Sequence, residues 1–291
     1  MYGVVAYLLW GLFPLYWPLV KPAGAVEILA NRVVWSLVAT GILLLATRRL
    51  RHFRLIFSDR RRALLLASGA VLISVNWGVY IWGVNHDRVV ETSLGYFINP
   101  LFTVLLGVLV LGERLRRWQW VAIGLAVVAV VGLTLEYGHP PWVALILALT
   151  FGTYGLIKKA ADTEAVEALT FETLVIAPLA LGYLVWLGPR GHFGDGLAIT
   201  ALFVSSGIVT IVPLLLFGAA AIRMPLSTLG LIQYLTPILQ FILGVTVFHE
   251  AMTPMRWAGF ALVWVALALF TTEAIRHQRT QLRLAAEASA L

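Results

Sequence analysis

The sequence predicts an all-α polytopic membrane protein of ten transmembrane helices arranged as two inverted five-helix repeats. Three observations carry that expectation: a composition too apolar for a soluble domain, apolar blocks of bilayer-spanning length, and a pattern that recurs at a fixed offset. Of 291 residues, 60% are hydrophobic and 12% charged, against roughly 25% charged in an ordinary soluble domain. A soluble fold of this length could not hide so much apolar surface. The blocks fall near 3–20, 26–46, 63–83, 89–111, 118–135, 141–157, 168–187, 197–221, 226–248 and 256–272, each close to the ~20 residues that a ~30 Å hydrocarbon core requires at ~1.5 Å per residue. Between them there is no room for a soluble domain.

Taken in order, the first span begins near Gly3 with no basic stretch and no cleavage site ahead of it, and so reads as a retained helix rather than a signal peptide. It aligns Tyr7, Gly11, Pro14 and Pro18 at helical spacing. The second opens with Glu27, Asn31 and Arg32. An arginine at the bilayer centre costs about 2.5–3.5 kcal/mol on insertion scales, so Arg32 is expected near the outer interface, paired with Glu27 or Glu91 as a structural ion pair or an ionic gate. The third carries Asn76 and Tyr80 four apart, hence on one face, with Trp77, Trp82 and Asn85 nearby. Along the fourth, Ser93, Tyr96, Pro100, Thr103 and Gly107 form one stripe, with Asn99 beside them.

The fifth span starts from a tryptophan, and here the repeat becomes visible. Pro100, Gly107, Glu113 and Trp120 are matched by Pro237, Gly244, Glu250 and Trp257, each 137 positions later. The fourth span therefore corresponds to the ninth and the fifth to the tenth, giving units 1–137 and 138–274 and a cytoplasmic tail, 275–291. An odd number of spans per unit forces the second copy to insert in the opposite sense, and inverted repeats of this kind place a binding site at mid-membrane between the halves. Shifting the stripe of the fourth span by the same offset gives Gly230, Gln233, Pro237, Gln240 and Gly244 on the ninth, next to Tyr234. A proline inside a helix frees the carbonyl four residues earlier, here that of Tyr96 and of Gln233; in hydrocarbon that carbonyl needs a neighbouring helix, a water or a ligand. Close helix packing is the plainer explanation for such prolines and glycines. In the sixth span Gly152, Tyr154 and Gly155 sit near the middle, Glu172 lies one turn into the seventh, and the eighth carries Ser206, Thr210 and Pro213. Trp17, Trp118, Trp142 and Trp257 are expected to be interfacial anchors, while Glu113 and Glu250, at their helix ends, are expected to be repeat-conforming caps or loop anchors.

The net charge of +7 is a matter of distribution. With the N-terminus inside, sixteen Lys and Arg lie on inner segments, four on outer loops (Lys21, Arg88, Arg190, Arg256) and Arg32 within a span, which accounts for all 21. That bias puts both termini in the cytoplasm of a cell-membrane protein and disfavours a nucleic-acid surface. With no cysteine there is no disulfide, thiolate metal site or thiol nucleophile. His52, His86, His139, His192, His249 and His277 show no metal-ligand spacing, and no phosphate-binding glycine loop or serine elbow is present. No cofactor, metal or enzymatic activity is expected, and gradient-driven transport remains.

The strings EILANRVVWS at 27–36, NWGVYIWGVN at 76–85, ETSLGYFINPL at 91–101 and GERLRRWQW at 112–120, with YGLIKK at 154–159, GIVTIVPLLLF at 207–217 and LSTLGLIQYLTP at 226–237, resemble the RarD proteins of the EamA-type permeases in the drug/metabolite transporter superfamily. The resemblance spans nearly the whole chain; one departure is HEAM at 249–252, where the first copy has GERL at 112–115. It implies ten helices in two inverted repeats around a cavity lined by spans one, three, four, six, eight and nine. It also implies a secondary exporter of small metabolites or drugs, amino-acid-like or chloramphenicol-like, working by alternating access.

The expected substrate site comprises Asn76, Tyr80, Ser93, Tyr96, Asn99, Thr103, Tyr154, Thr210, Gln233, Tyr234 and Gln240. Bending is expected at Gly11, Pro14, Pro100, Gly107, Gly152, Gly155, Pro213, Pro237 and Gly244. A small-molecule substrate and the lipid bilayer are the expected partners, with a homodimer left open. Two other classes stand beside this reading: a lipid-modifying enzyme using Glu27, Arg32, His86 and Asp87, and a non-transporting scaffold.

Overall fold

The computed structural model describes residues 1–111, 116–221 and 232–289. These are helical with short connections, and no strand occurs among them. Glu113, Gly230, Arg114 and Arg223 lie outside the described residues.

Helix α1 (Tyr2–Gly11) breaks at Leu12 and continues as a short helix, Phe13–Tyr16, and a 3-10 turn, Trp17–Val20, with a bend of 44° between the parts. The span expected over 3–20 is thus bent between Gly11 and Pro14, two of the positions where bending is expected. Pro14 and Pro18 have no N–H to donate, and each opens a new segment, at the first positions where that donor is not needed. Next come α2 (Ala25–Ala46), a surface helix (Leu50–Ser58), α3 (Arg60–Asn85), α4 (Val89–Leu111) and α5 (Arg117–Tyr137). After Gly138, which ends α5 in the left-handed region at φ 70°, the chain forms α6 (Trp142–Ala161), α7 (Ala165–Leu187), α8 (Leu197–Ala221), α9 (Leu235–Thr246) and α10 (Pro254–Ser289). Among the described residues seven helices are long and apolar enough to cross a membrane, and an eighth if the bent first pair counts as one span. Of the span expected over 226–248, residues 226–231 lie outside the described residues, and α9 occupies 235–246; α10 runs on to Ser289 through what reads in sequence as a tail. The surface helix buries Phe53 and Ile56 and exposes Arg51, His52 and Arg54, the amphipathic arrangement of a helix lying in the interface.

The most extensive packings trace a closed circuit: α1 on α8, α8 on α2, α2 on α7, α7 on α3, α3 on α6, α6 on α4, α4 on α9 and α9 back on α1. A separate pair, α5 with α10, packs outside this ring and reaches it at α4. Exchanging each helix for the one five places along maps the packings of the circuit and the α5–α10 pair onto themselves, whereas the contacts of that pair with α4 have no counterpart of like extent at α9. Large apolar side chains on the outer faces remain exposed, for example Leu109, Leu135, Leu179, Val185 and Trp186. In water such a surface would drive aggregation; in a bilayer it is the solvated face. The helices satisfy their own backbone groups, so polar side chains that point inward are left to find one another.

Candidate functional site

Asn76 on α3 is almost fully enclosed and donates through Nδ2 to the Leu147 carbonyl (3.1 Å) and to Thr150 Oγ1 on α6 (2.9 Å). Its Oδ1 accepts from the Tyr96 hydroxyl on α4 at 3.4 Å. The Tyr96 ring meets that of Tyr80, one turn along α3 from Asn76, edge to face at 5.8 Å. Tyr80 in turn accepts from Gln240 Nε2 on α9 (2.9 Å), which also reaches the Trp10 carbonyl on α1 (3.2 Å). Thr236, one turn earlier on α9, donates to the Tyr7 carbonyl at 2.7 Å. A polar seam therefore crosses the ring from α6 through α3 and α4 to α9 and α1. Two acceptors in and beside it have no partner among the described residues, Gln240 Oε1 and Asn99 Oδ1.

A second cluster adjoins the seam. Arg32 on α2 is 3% exposed, and its Nε donates to Thr210 Oγ1 on α8 at 3.0 Å. Its guanidinium lies 3.9 Å from the Trp77 ring, 4.9 Å from Trp17 and 5.7 Å from Phe13. The ionisable groups that it feels are the phenols of Tyr96, Tyr80 and Tyr16.

The expected ion pair of Arg32 with Glu27 or Glu91 is corrected by these contacts. Glu27 accepts from the His192 backbone N–H (2.6 Å) and faces His192 Nδ1 (2.9 Å) in the α7–α8 connection. Glu91 pairs with Arg88 (3.2 Å) and accepts from the Val143 N–H that opens α6 (3.0 Å). Arg32 lies seven residues past the start of α2, ~10 Å along it at 1.5 Å per residue, and turns into the ring where neither carboxylate reaches. Trp17, expected as an interfacial anchor, is completely buried against it. Trp118 and Trp257 are exposed, as anchors should be. The Glu27, Arg32, His86 and Asp87 cluster considered for an enzyme is not assembled: His86 stacks on Trp82 and faces its carbonyl. No group of three His, Asp or Glu fit to hold a metal occurs among the described residues.

The other expected site residues divide. Ser93 donates within its own helix to Val90, and Thr103 to the Asn99 carbonyl. Tyr154 donates to Glu172 (2.9 Å), which also pairs with Lys158 (3.2 Å), a compact ionic cluster apart from the seam. Gln233 and Tyr234 form a turn ahead of α9, and Tyr234 lies near Thr271 on α10. Pro237 lies in the first turn of α9, and Thr236 N–H takes the Gln233 carbonyl (3.3 Å), so that carbonyl is not the freed acceptor expected in a helix interior. Pro100 and Pro213 do lie inside their helices. Gly107 is on α4. Gly11, Gly152 and Gly244 are contact points: a β-carbon would meet Leu239 at 2.9 Å, Phe102 at 2.9 Å and Val90 at 2.7 Å respectively, whereas Gly155 faces open space.

Sequence reasoning missed Thr150, although it lies four residues before Tyr154 on the same helix, and it missed the Arg32–Thr210 link, which joins residues 178 apart. At the loop after α9, Glu250 accepts from the Val89 and Val90 N–H groups that open α4, the anchoring role expected of it. Burial pushes its carboxyl up to about 7, with nearby Asp87 acting in the same direction against those backbone donors. A recess of about 320 Å³ between α2, α7 and the following loop is lined by Asn31, Trp35, Leu184 and Phe193, with the already engaged Glu27 at its edge.

Comparison with known proteins gives one consistent result. The profile of the EamA-like transporter family matches residues 1–135 and 141–272. "Protein RarD" of Streptomyces exfoliatus is 56% identical over 292 residues, covering 99% of this chain and 93% of that protein. "Uncharacterized transporter YojE" of Bacillus subtilis is 42% identical over 290 residues, covering 96% and 95%. A solved crystal structure aligns with a TM-score of 0.60 at 19% identity, over 92% of this chain and 95% of that one, a likeness of fold.

Proposed function

The chain belongs to the EamA-like transporter family, a family of multi-pass membrane transporters, and from that premise we propose that it is a secondary exporter of small metabolites or drugs. The solute moves by alternating access of the two halves, with ten spans, both termini cytoplasmic and the protein in the cell membrane. The observation that carries this reading is the seam. Asn76, Tyr80 and Tyr96 from the first half meet Thr150 and Gln240 from the second inside helices built to cross hydrocarbon. Buried polar groups at that depth are costly and cluster along solute paths. The packing circuit, unchanged when each helix is exchanged for its counterpart, supports two repeats moving against each other.

Amides, phenols and a guanidinium suit a neutral, zwitterionic or anionic organic solute, including amino-acid-like or chloramphenicol-like molecules. The test is flux in proteoliposomes across a panel of amino acids, related metabolites and chloramphenicol, with and without an imposed proton gradient. Replacing Asn76 by Leu, Tyr96 by Phe and Gln240 by Leu is expected to lower flux of the accepted solute at least about tenfold in each, the effect of losing one buried hydrogen bond of ~1.4 kcal/mol, without loss of folded protein. Undiminished flux in all three removes the seam from the path.

A further inference from the structure

We propose that Arg32 is the anchor for a carboxylate carried by the solute, held between the Trp77 and Trp17 rings. The inference rests on the transport reading above and names the chemical class that the path selects.

Among the described residues the charge has no counter-ion. Among the described residues its single hydrogen bond goes from Nε to the neutral Thr210 hydroxyl. The buried carboxylates Glu27, Glu91 and Glu172 are committed elsewhere, Glu27 to His192, Glu91 to Arg88 and Val143, and Glu172 to Lys158. Its two Nη nitrogens make no hydrogen bond to any described residue. The Trp17 ring, 4.9 Å from the guanidinium, carries an indole Nε1 that is sealed and has no acceptor among the described residues. Three N–H-bearing groups thus lack an acceptor among the described residues, and the guanidinium also lacks a counter-charge.

A buried ion without a partner is among the most expensive arrangements in a fold, and cation–π contacts of ~2 kcal/mol when desolvated repay only part of it. A guanidinium kept there for stability alone would be replaced with profit by an apolar side chain; one kept for a ligand would not. The planar fork matches a carboxylate in a bidentate mode. One arginine and a hydroxyl are too few donors for a phosphate dianion, and the flanking indoles offer apolar faces to the rest of the molecule. An organic acid or amino-acid carboxylate fits this set better than an inorganic anion.

The experiment uses the purified full-length protein in detergent and titrates benzoate against benzamide by calorimetry, the same ring with and without the charge. The wild type is expected to bind benzoate about tenfold or more tighter than benzamide, the scale of a charge-assisted hydrogen bond. Arg32→Gln is expected to abolish that preference, Arg32→Lys to keep part of it, and the ligand-free Arg32→Gln protein to melt at or above the wild-type Tm. Equal affinity for the two probes in the wild type, no saturable benzoate binding, or a benzoate preference that survives in Arg32→Gln overturns the proposal. The wild-type comparison decides even if the variant misfolds. Flux across the metabolite panel is read separately: benzoate preference without transport of any solute leaves this anchor standing and removes the transporter reading, and transport without the preference does the reverse.

Discussion

Two charges are buried in neighbouring helices of the ring and are settled in opposite ways. Glu172 on α7 is 1% exposed and meets Lys158 at 3.2 Å and Tyr154 at 2.9 Å, a cation and a donor from α6. Arg32 on α2, which packs directly against α7, is 3% exposed and meets three aromatic rings and one neutral hydroxyl. Burial costs both of them hydration. The first is compensated within the chain and ties α6 to α7; the second has no counter-charge among the described residues. A buried charge with its partner is an argument about stability, and one without is an argument about ligands.

The largest effect is expected where that distinction is sharpest. Glu172→Ala strands Lys158 and Tyr154 and should cost about 2–4 kcal/mol, toward the lower side of the ~3–5 kcal/mol for breaking a buried pair because the Lys158 side chain is partly exposed. Arg32→Met removes a charge that has no partner to strand and should leave the unfolding midpoint in detergent unchanged or higher. A loss from Arg32→Met as large as that from Glu172→Ala would erase the comparison and make Arg32 structural.

Glu250 lies between the two cases. It is half-buried, it receives backbone N–H groups at the start of α4, and its carboxyl is held up to about 7 against an ordinary value of 4.5. The folded protein therefore binds more protons there than the unfolded chain between about pH 4.5 and 7. Stability from this group is fully present below 4.5 and is lost as pH rises through 7, since the slope follows the difference in bound protons. Glu250→Gln keeps an acceptor for Val90 and cannot ionise. Across pH 5 to 8 its Tm should gain on the wild type; parallel pH profiles would mean that the backbone donors compensate the charge fully.

Much of the fold was legible because hydrocarbon thickness sets helix length and hydropathy reports it directly. The spans expected over 89–111 and 197–221 coincide with α4 and α8. The surface helix Leu50–Ser58 was not foreseen because its arginines dominate its composition, although Phe53 and Ile56 stand three apart on one face. Within the site, Asn76, Tyr80, Tyr96 and Gln240 were legible from helical spacing and come together. Arg32 was misplaced because its environment is tertiary: Trp17, Trp77 and Thr210 arrive from three other elements, and only the polar neighbours on its own helix can be seen in the sequence. Gln233 looked equivalent to Gln240, but the helix starts after it, and one turn of helix decides which amide enters the ring.

The smallest predicted effect concerns how the seam is held rather than how it is charged. Gly152 and Gly155 lie on the same helix, and both read in sequence as bending points. At Gly152 a β-carbon would sit 2.9 Å from Phe102 and 3.2 Å from Asn99 Oδ1, so α4 and α6 approach through the missing side chain; at Gly155 nothing lies within 4 Å. Gly152→Ala should therefore cost about 1–2 kcal/mol of overpacking, offset in part by the helix propensity of alanine. It should also push Tyr96 on α4 away from Asn76, already at the long distance of 3.4 Å, so solute affinity falls with stability. Gly155→Ala should be neutral or stabilising by a few tenths of a kcal/mol. If Gly155→Ala instead slows flux while Gly152→Ala does not, then bending rather than close approach is what these glycines supply, and the seam tolerates more movement of α4 against α6 than its hydrogen bonds imply.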